Sequence, residues 1–398
     1  MSTSVSEKAK KVKTSSTLAI TATAKAMKAQ GIDVASFGAG EPDFPTPENI
    51  CSAAIKAIHD GFTKYTAAAG TDELRAAVAK KFKEVNGLDY KPSQVVVSNG
   101  GKGSLTNVFE AILNEGDEVI IPAPFWLSYP QLVQLADGVP VYVRCSKEND
   151  YKITAEQLAA ACTEKTKALV LNTPNNPTGA IYSEEELRAI GQVAVEKDFF
   201  IVADEMYEAL VYDGKKHVSI AALDPAFYDR TITCSGFSKS YAMTGWRLGY
   251  CGAPQEVATL IANIQSHQAS NPNSIAQAAA VEALNGPQDT IAVMHDAFEK
   301  RRDLIYSRVA AMPHVNAMKP EGAFYLFVDL SDVIGREYKG KKLESAADIA
   351  AALIADYKVA VVPCADFGFD DHMRLSYATS EEEINKGLDR IEEFLKQF

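Results

Sequence analysis

Between about residues 50 and 285 the hydrophobic positions alternate between two periods. Leu74, Ala77, Val78, Phe82 and Val85 recur at helical spacing, and the run stops at Asn86-Gly87, a pair suited to end a helix. The apolar run Val95-Val96-Val97 follows, then a helical face of Leu105, Val108, Phe109 and Ile112. Glu118 to Ile121, Ala168 to Leu171, Phe199 to Ala203 and Thr231 to Cys234 are further strand candidates. Each is short and nearly wholly apolar, as strands covered on both faces must be. Ser183 with Glu186 predicts a capping box for a helix between two of them. The alternation predicts an α/β fold built on a doubly wound, mostly parallel sheet.

After about residue 285 the helices lengthen, as in the charged run around Glu299, Lys300, Arg301 and Arg302. Three strand-like pieces come next, Phe324 to Leu330, Val359 to Val362 and Met373 to Tyr377, and a last helix opens with a second capping box, Ser380 with Glu383. This predicts a smaller α+β domain, completed by the N-terminal segment around Phe37. The expected division is residues 1–49 as an arm and the start of the small domain, 50–285 as the large domain, and 286–398 as the small C-terminal domain.

A chain of 398 residues with 47% hydrophobic residues can bury cores of that size. Its net charge of −12 and pI near 5.1 argue against a nucleic-acid or anionic-membrane partner, so an anionic substrate must be caught by a few local cations. No stretch approaches the roughly 18 apolar residues of a membrane span, and the N-terminus has no apolar secretory core. A cytoplasmic protein is expected. The first sixteen residues are basic and Ser-rich with one acid, Glu7, a composition shared by a polar arm and a mitochondrial targeting segment; the arm is the preferred reading. The cysteines form no C-x-x-C pair and the histidines no H-E-x-x-H or close cluster with cysteine, so reduced thiols and no metal are expected.

In open parallel sheets ligands bind outside the carboxyl ends of the strands, and the most unusual loops here follow strands. Ser98-Asn99-Gly100-Gly101-Lys102-Gly103-Ser104 can offer free N–H groups and a helix dipole to a phosphate, but it is not a P-loop, because Val97 and Gly103 stand where that motif needs Gly and Ser or Thr. Pro122-Ala123-Pro124-Phe125-Trp126 sets one of two tryptophans at the sheet's mouth, suited either to stacking on a planar ring or to a core role. Asn172 to Gly179 is stiffened by Pro174 and Pro177 and can aim one amide inward. Asp204-Glu205-Met206-Tyr207 ends a buried strand, where the Asp is either a ligand or a helix cap. Last, Lys239 follows an apolar strand between Ser238 and Ser240, where poor hydration favours a neutral, nucleophilic amine, and Arg247 lies eight residues on.

The stretch Gly236 to Gly249 resembles the complete lysine-attachment signature of the class I pyridoxal-phosphate aminotransferases of fold type I. Gly38-Ala39-Gly40-Glu41-Pro42-Asp43-Phe44, Lys64-Tyr65-Thr66 and Arg374-Leu375-Ser376-Tyr377 resemble the same family in the right order, from about Thr17 to the end. The resemblance implies pyridoxal 5′-phosphate as cofactor, carried by Lys239 as a Schiff base, with Lys239 later moving a proton at the substrate's Cα. It implies that Asp204 pairs with the ring nitrogen, Tyr207 and Asn176 bond the ring's O3′, Trp126 stacks on the ring, and Gly101, Lys102, Ser238 and Arg247 line the phosphate end. It also implies a homodimer in which Tyr65 reaches the neighbouring active site.

For the substrate, the resemblance implies a bidentate grip of Arg374 on the α-carboxylate, helped by Gly40 and Asn176. Lys102, with Ser16 and Thr17, resembles the side-chain pocket of the bacterial-type aspartate branch. Transfer of the amino group from L-aspartate to 2-oxoglutarate is therefore expected, with prephenate as a further acceptor in some relatives. Aromatic or alanine aminotransferases and C–S β-lyases share the cofactor residues. An amino-acid-sensing regulator needs an added DNA-binding domain for which 398 residues leave no room, and a plain nucleotide-binding protein has no need of Lys239.

Overall fold

The computed structural model describes residues 5–398; Met1 to Ser4 of the expected arm lie outside the described residues. At its centre is a seven-stranded sheet made of β2 (Val95–Ser98), β3 (Glu118–Ala123), β4 (Val139–Arg144), β5 (Thr166–Asn172), β6 (Phe200–Asp204), β7 (Thr231–Gly236) and β8 (Gly249–Gly252); β1 (Ala35–Ser36) lies elsewhere. The spatial order is β2-β8-β7-β6-β5-β3-β4, with β8 antiparallel to both neighbours and the remaining pairs parallel. The expected strands are all present. Two others, β4 and β8, were not among them.

The helix Asp72–Lys81 continues through a single π turn, Phe82–Asn86, and ends on Gly87, as the Asn-Gly pair predicts. Leu105, Val108, Phe109 and Ile112 all face the sheet from the helix Gly100–Ile112, which starts inside the Gly-rich stretch. At 1.5–3 kcal/mol for a fully buried side chain of this size, such a face contributes about 5 kcal/mol or more towards docking the helix. Ser183 and Glu186 form a full capping box. At the last helix, Glu381–Leu395, only half of the expected box forms: Ser380 Oγ accepts from the Glu383 N–H, but the Glu383 carboxylate turns to Lys386 instead, because a nearby ammonium attracts it more strongly than a backbone amide.

The C-terminal part holds the long helix Asp289–Ala310 and an antiparallel sheet of β9 (Asn316–Ala317), β10 (Tyr325–Asp329), β12 (Val362–Pro363) and β13 (His372–Ser376). The expected strand 359–362 is two short pieces, β11 (Val359–Ala360) and β12, which pair with different partners. β1 pairs with β11, and Phe37 donates to Ala360 O and accepts from Ser376 N–H, which ties the N-terminal segment to these strands. Phe37 shares a core with Phe298, Phe324, Leu375 and Leu388, separate from the core under the large sheet. Among the described residues no helix is long and apolar enough to cross a membrane.

Candidate active site

The expected loops converge. Parallel strands run in one direction, so the ends of β2, β3, β5, β6 and β7 open on a single edge, and a cavity of about 410 Å³ lies there. Its walls include Gly40, Gly101, Lys102, Trp126, Asn176, Asp204, Tyr207, Ser238, Lys239, Arg247 and Arg374, together with Thr17 from the helix Ser16–Ala29. Tyr65 does not line it; that residue is 89% exposed. Ser16 also differs from expectation. Ser15 faces the cavity and bonds Thr17 Oγ1 at 2.8 Å, whereas the Ser16 hydroxyl is buried without a partner, because the helix turns successive residues about 100° apart.

Lys239 Nζ donates to Gly40 O and is enclosed by the cavity walls. Burial is the largest influence on it and lowers its pKa to about 8; Arg374 and Arg247 push the same way, against Glu41 and Asp204. An amine in that state is partly neutral at physiological pH and able to take up a proton or attack a carbonyl. Asp204, at the end of β6, accepts from Tyr129 Oη at 2.6 Å and from the Met206 N–H at 3.2 Å. Burial raises its pKa, and those two hydrogen bonds counter the rise. Asp204 thus caps the turn through Met206 and also lines the cavity. Tyr207 Oη lies 2.9 Å from Tyr325 Oη.

Arg374 is 2% exposed and has no carboxylate partner among the described residues. It donates to Asn176 Oδ1 at 3.0 Å and to Gly38 O at 3.4 Å, lies 4.2 Å from the centroid of the Tyr325 ring, and leaves Nε unpaired. A buried guanidinium without a counter-ion is expensive, which makes this a place for an anion that arrives. Lys102 Nζ lies 5.1 Å from the Trp126 ring centroid, again with no carboxylate; burial and then Arg247 lower its pKa. Trp126 is held edge-on by Tyr129, with ring centroids 5.4 Å apart.

The phosphate end is defined by close approach. A Cβ on Gly249 would come 2.3 Å from Gly101 N, and one on Gly100, whose φ is +80°, would come 2.3 Å from Arg247 Nη2. Only hydrogens fit, so the start of the helix Gly100–Ile112, with its unpaired first-turn N–H groups, sits against a guanidinium. That cradle fits the phosphate of pyridoxal phosphate, with Trp126 as a platform for the ring and Lys239 within the same walls. Gly100→Ala should displace Arg247 and strain the turn. Equilibrium titration with pyridoxal phosphate is expected to show about tenfold weaker binding, on the scale of one lost charge-assisted hydrogen bond; unchanged affinity would refute this account of the cradle.

Tyr129, Tyr325, Glu41 and Thr244 belong to the site without having been expected; Thr244 Oγ1 donates to Glu41 Oε2 at 2.8 Å. Tyr129 stands three residues after Trp126, a helical spacing that could have pointed to it. For Tyr325 no such signal exists.

The family described as "Aminotransferase class I and II" matches residues 32–391. An aspartate aminotransferase of Bacillus sp. (strain YM-2) is 48% identical over 391 residues, which is 98% of this chain and 99% of that protein. An aspartate/prephenate aminotransferase of Cereibacter sphaeroides is 48% identical over 386 residues, 96% of each chain. Among solved structures, the aspartate aminotransferase of Thermus thermophilus with maleate superposes with a TM-score of 0.93 at 41% identity, covering 99% of this chain and all of the other. A match across nearly the whole chain, together with a cavity assembled from the signature residues, makes this protein a member of the class I and II aminotransferases.

Proposed function

We propose that the protein is an aspartate aminotransferase, moving the amino group of L-aspartate to 2-oxoglutarate through pyridoxal phosphate. One observation carries this: the cations that line a single cavity, Arg374, Lys102 and Arg247 together with Lys239 and Lys25, have no carboxylate partner among the described residues, in a chain of net charge −12. Arg247 serves the cofactor's phosphate and Lys239 the reaction itself, and Arg374 beside Asn176 and Lys102 beside Trp126 are placed for a substrate with two carboxylates. Arg374 takes the α-carboxylate, with Asn176 and Gly40 beside it. Lys102, with Ser15 and Thr17, takes the distal one. Maleate, a dicarboxylate, is named with the Thermus relative, which is in keeping with this division.

When bound, pyridoxal phosphate supplies an electron sink for the bond broken at Cα. The chain does the rest. Asp204 holds a proton on the ring nitrogen, Tyr207 and Asn176 bond the ring's hydroxyl side, and Trp126 covers its face. Lys239 would take the Cα proton and return it at C4′, on the far side of the nitrogen, so removal of that proton and transfer of nitrogen would use one base. Prephenate is the second acceptor to try, since the Cereibacter relative is named for it.

A homodimer is part of the proposal: Tyr65 does not line its own cavity and follows the exposed Ile55, Ile58 and Phe62 in the chain, apolar side chains suited to a second copy whose site Tyr65 would complete. The domain limits 50–285 and 286–398 are kept, supported by a core made mostly of C-terminal residues around Phe298, Phe324 and Leu375, and a cytoplasmic location is kept with them.

The test is the visible spectrum of the cofactor-loaded protein before and after L-aspartate, with no keto acid present. Loss of the yellow band with one oxaloacetate per subunit is expected; a band that aspartate leaves untouched would sink the substrate assignment. Lys102→Ala should lower kcat/KM for aspartate about 10- to 100-fold, the 1.5–3 kcal/mol of a hydrogen bond to a charged group, and leave alanine unaffected. Equal losses for both amino acids would remove Lys102 from the distal pocket.

A further inference from the structure

The turn after β6 presents side chains in two directions. Asp204, Met206 and Tyr207 line the cavity; Glu205 and Glu208 point away from it, with side chains 1% and 6% exposed. Two buried carboxylates three residues apart are costly unless paired. A lysine and a histidine meet them. Lys81, the last residue of the helix Asp72–Lys81, donates to Glu208 Oε1 and, at 2.9 Å, to Asn86 Oδ1, and His217 Nε2 lies 2.9 Å from Glu205 Oε2. Asn86 Nδ2 then donates to both glutamates, at 2.7 and 3.1 Å, Ser219 Oγ donates to Glu205 at 2.6 Å, and Ser235 Oγ donates to Glu208 at 2.8 Å.

The donor atoms of Glu205, Glu208 and His217 lie within 4.8 Å of one another, a spacing that suits a metal ion, but the Lys81 ammonium already supplies a cation there. Burial would pull Lys81 down, yet Glu208 and its neighbours outweigh it and hold the amine protonated. None of these side chains reaches the cavity. Ser235 stands four residues before Lys239 on the strand that delivers it.

We propose that this buried cluster is a positioning device for the catalytic turn: Lys81 anchors Glu208, and Asn86 and Ser219 with the nearby His217 anchor Glu205, from behind, so that Asp204 and Tyr207 are held in register with Lys239. The proposal rests on the aminotransferase reading above. It accounts for the alternation along one five-residue turn, in which the residues facing the cavity serve the cofactor and those facing away are tied to a helix, a loop and β7.

The experiment compares Lys81→Met with the double variant Lys81→Met/Glu208→Gln, which removes both opposite charges and keeps the bulk. Hydrogen exchange is followed in the cofactor-free proteins, and kcat, KM and the pH midpoint of the visible band in the loaded ones. Lys81→Met is expected to speed exchange at residues 203–210 but not in the helix Asp289–Ala310. It should also move the band's pH midpoint and lower kcat about 10- to 100-fold, the scale of a small misplacement of catalytic groups, with KM changed less than about threefold. The double variant should regain most of the loss, as coupled charges do. Should Lys81→Met not fold, Ser235→Ala removes one bond to Glu208 and should lower kcat about threefold with the same local change in exchange. Wild-type exchange at the turn together with wild-type kcat per folded molecule would overturn the proposal. A wild-type protein that shows no visible band with pyridoxal phosphate would instead overturn the reading of the site, and the exchange data would still decide the positioning claim.

Discussion

Lys239→Ala is expected to lower aspartate turnover by at least about 10⁴-fold, the upper range for losing a positioned acid–base group, before the lost covalent attachment is counted. No neighbour can substitute. Lys102 lies beside Trp126, Arg374 is bound to Asn176 and Gly38 O, Arg247 to Thr244 O, and Asp204 is occupied by Tyr129 and Met206. Rapid mixing of the loaded variant with L-aspartate checks this: the visible band should persist over the time in which wild type bleaches completely. Bleaching within 100-fold of the wild-type rate would remove Lys239 from the proton transfer. The depressed pKa adds a test of sign. Below about 8 Nζ carries a proton and cannot attack a carbonyl, so capture of the cofactor by the empty wild-type protein should quicken as pH rises and level off above about 8. A capture rate still climbing towards pH 10 would mean that burial does not depress the amine.

Asp204→Asn should lower kcat roughly 10²- to 10⁴-fold, corresponding to the ~3–5 kcal/mol lost when one member of a buried ion pair is removed. Asparagine keeps the shape and can still accept from Tyr129 Oη, now 2.6 Å from Asp204 Oδ2, so the loss should be in charge alone. Steady-state kinetics separate the outcomes. With the substrate's carboxylates held by Arg374 and Lys102, KM should change little while kcat falls. An unchanged kcat would show that the carboxylate's charge is not used, and a rise in KM alone would point to substrate binding instead.

Much of this site was legible in the sequence because the fold imposes a simple rule: each short apolar run of a parallel sheet ends at one edge, so the residues after Val97, Ile121, Leu171, Ala203 and Cys234 had to meet. Lys239, Asp204, Tyr207, Asn176 and Arg247 were found this way and by motif. β4 and β8 were not, for local reasons. β4 is an edge strand, half exposed and carrying Pro140, and β8 has glycine at two of its four positions, so neither shows a strand's usual pattern. β8 exists because its neighbours need it: Gly249 is the gap into which Gly101 fits.

The sequence by itself determined the family, the α/β order and the residues on the strand-end loops, since these depend on local periodicity and on motifs contiguous in the chain. Tertiary structure alone decided which groups those residues lean on. It chose Ser15 over Ser16, set Tyr129 against Asp204 and Tyr325 beneath Arg374, and paired Glu205 and Glu208 with His217 and Lys81 behind the turn. Such partners lie up to 127 residues apart, and a buried charge is satisfied by whatever packing brings within about 3 Å, a distance no periodicity encodes.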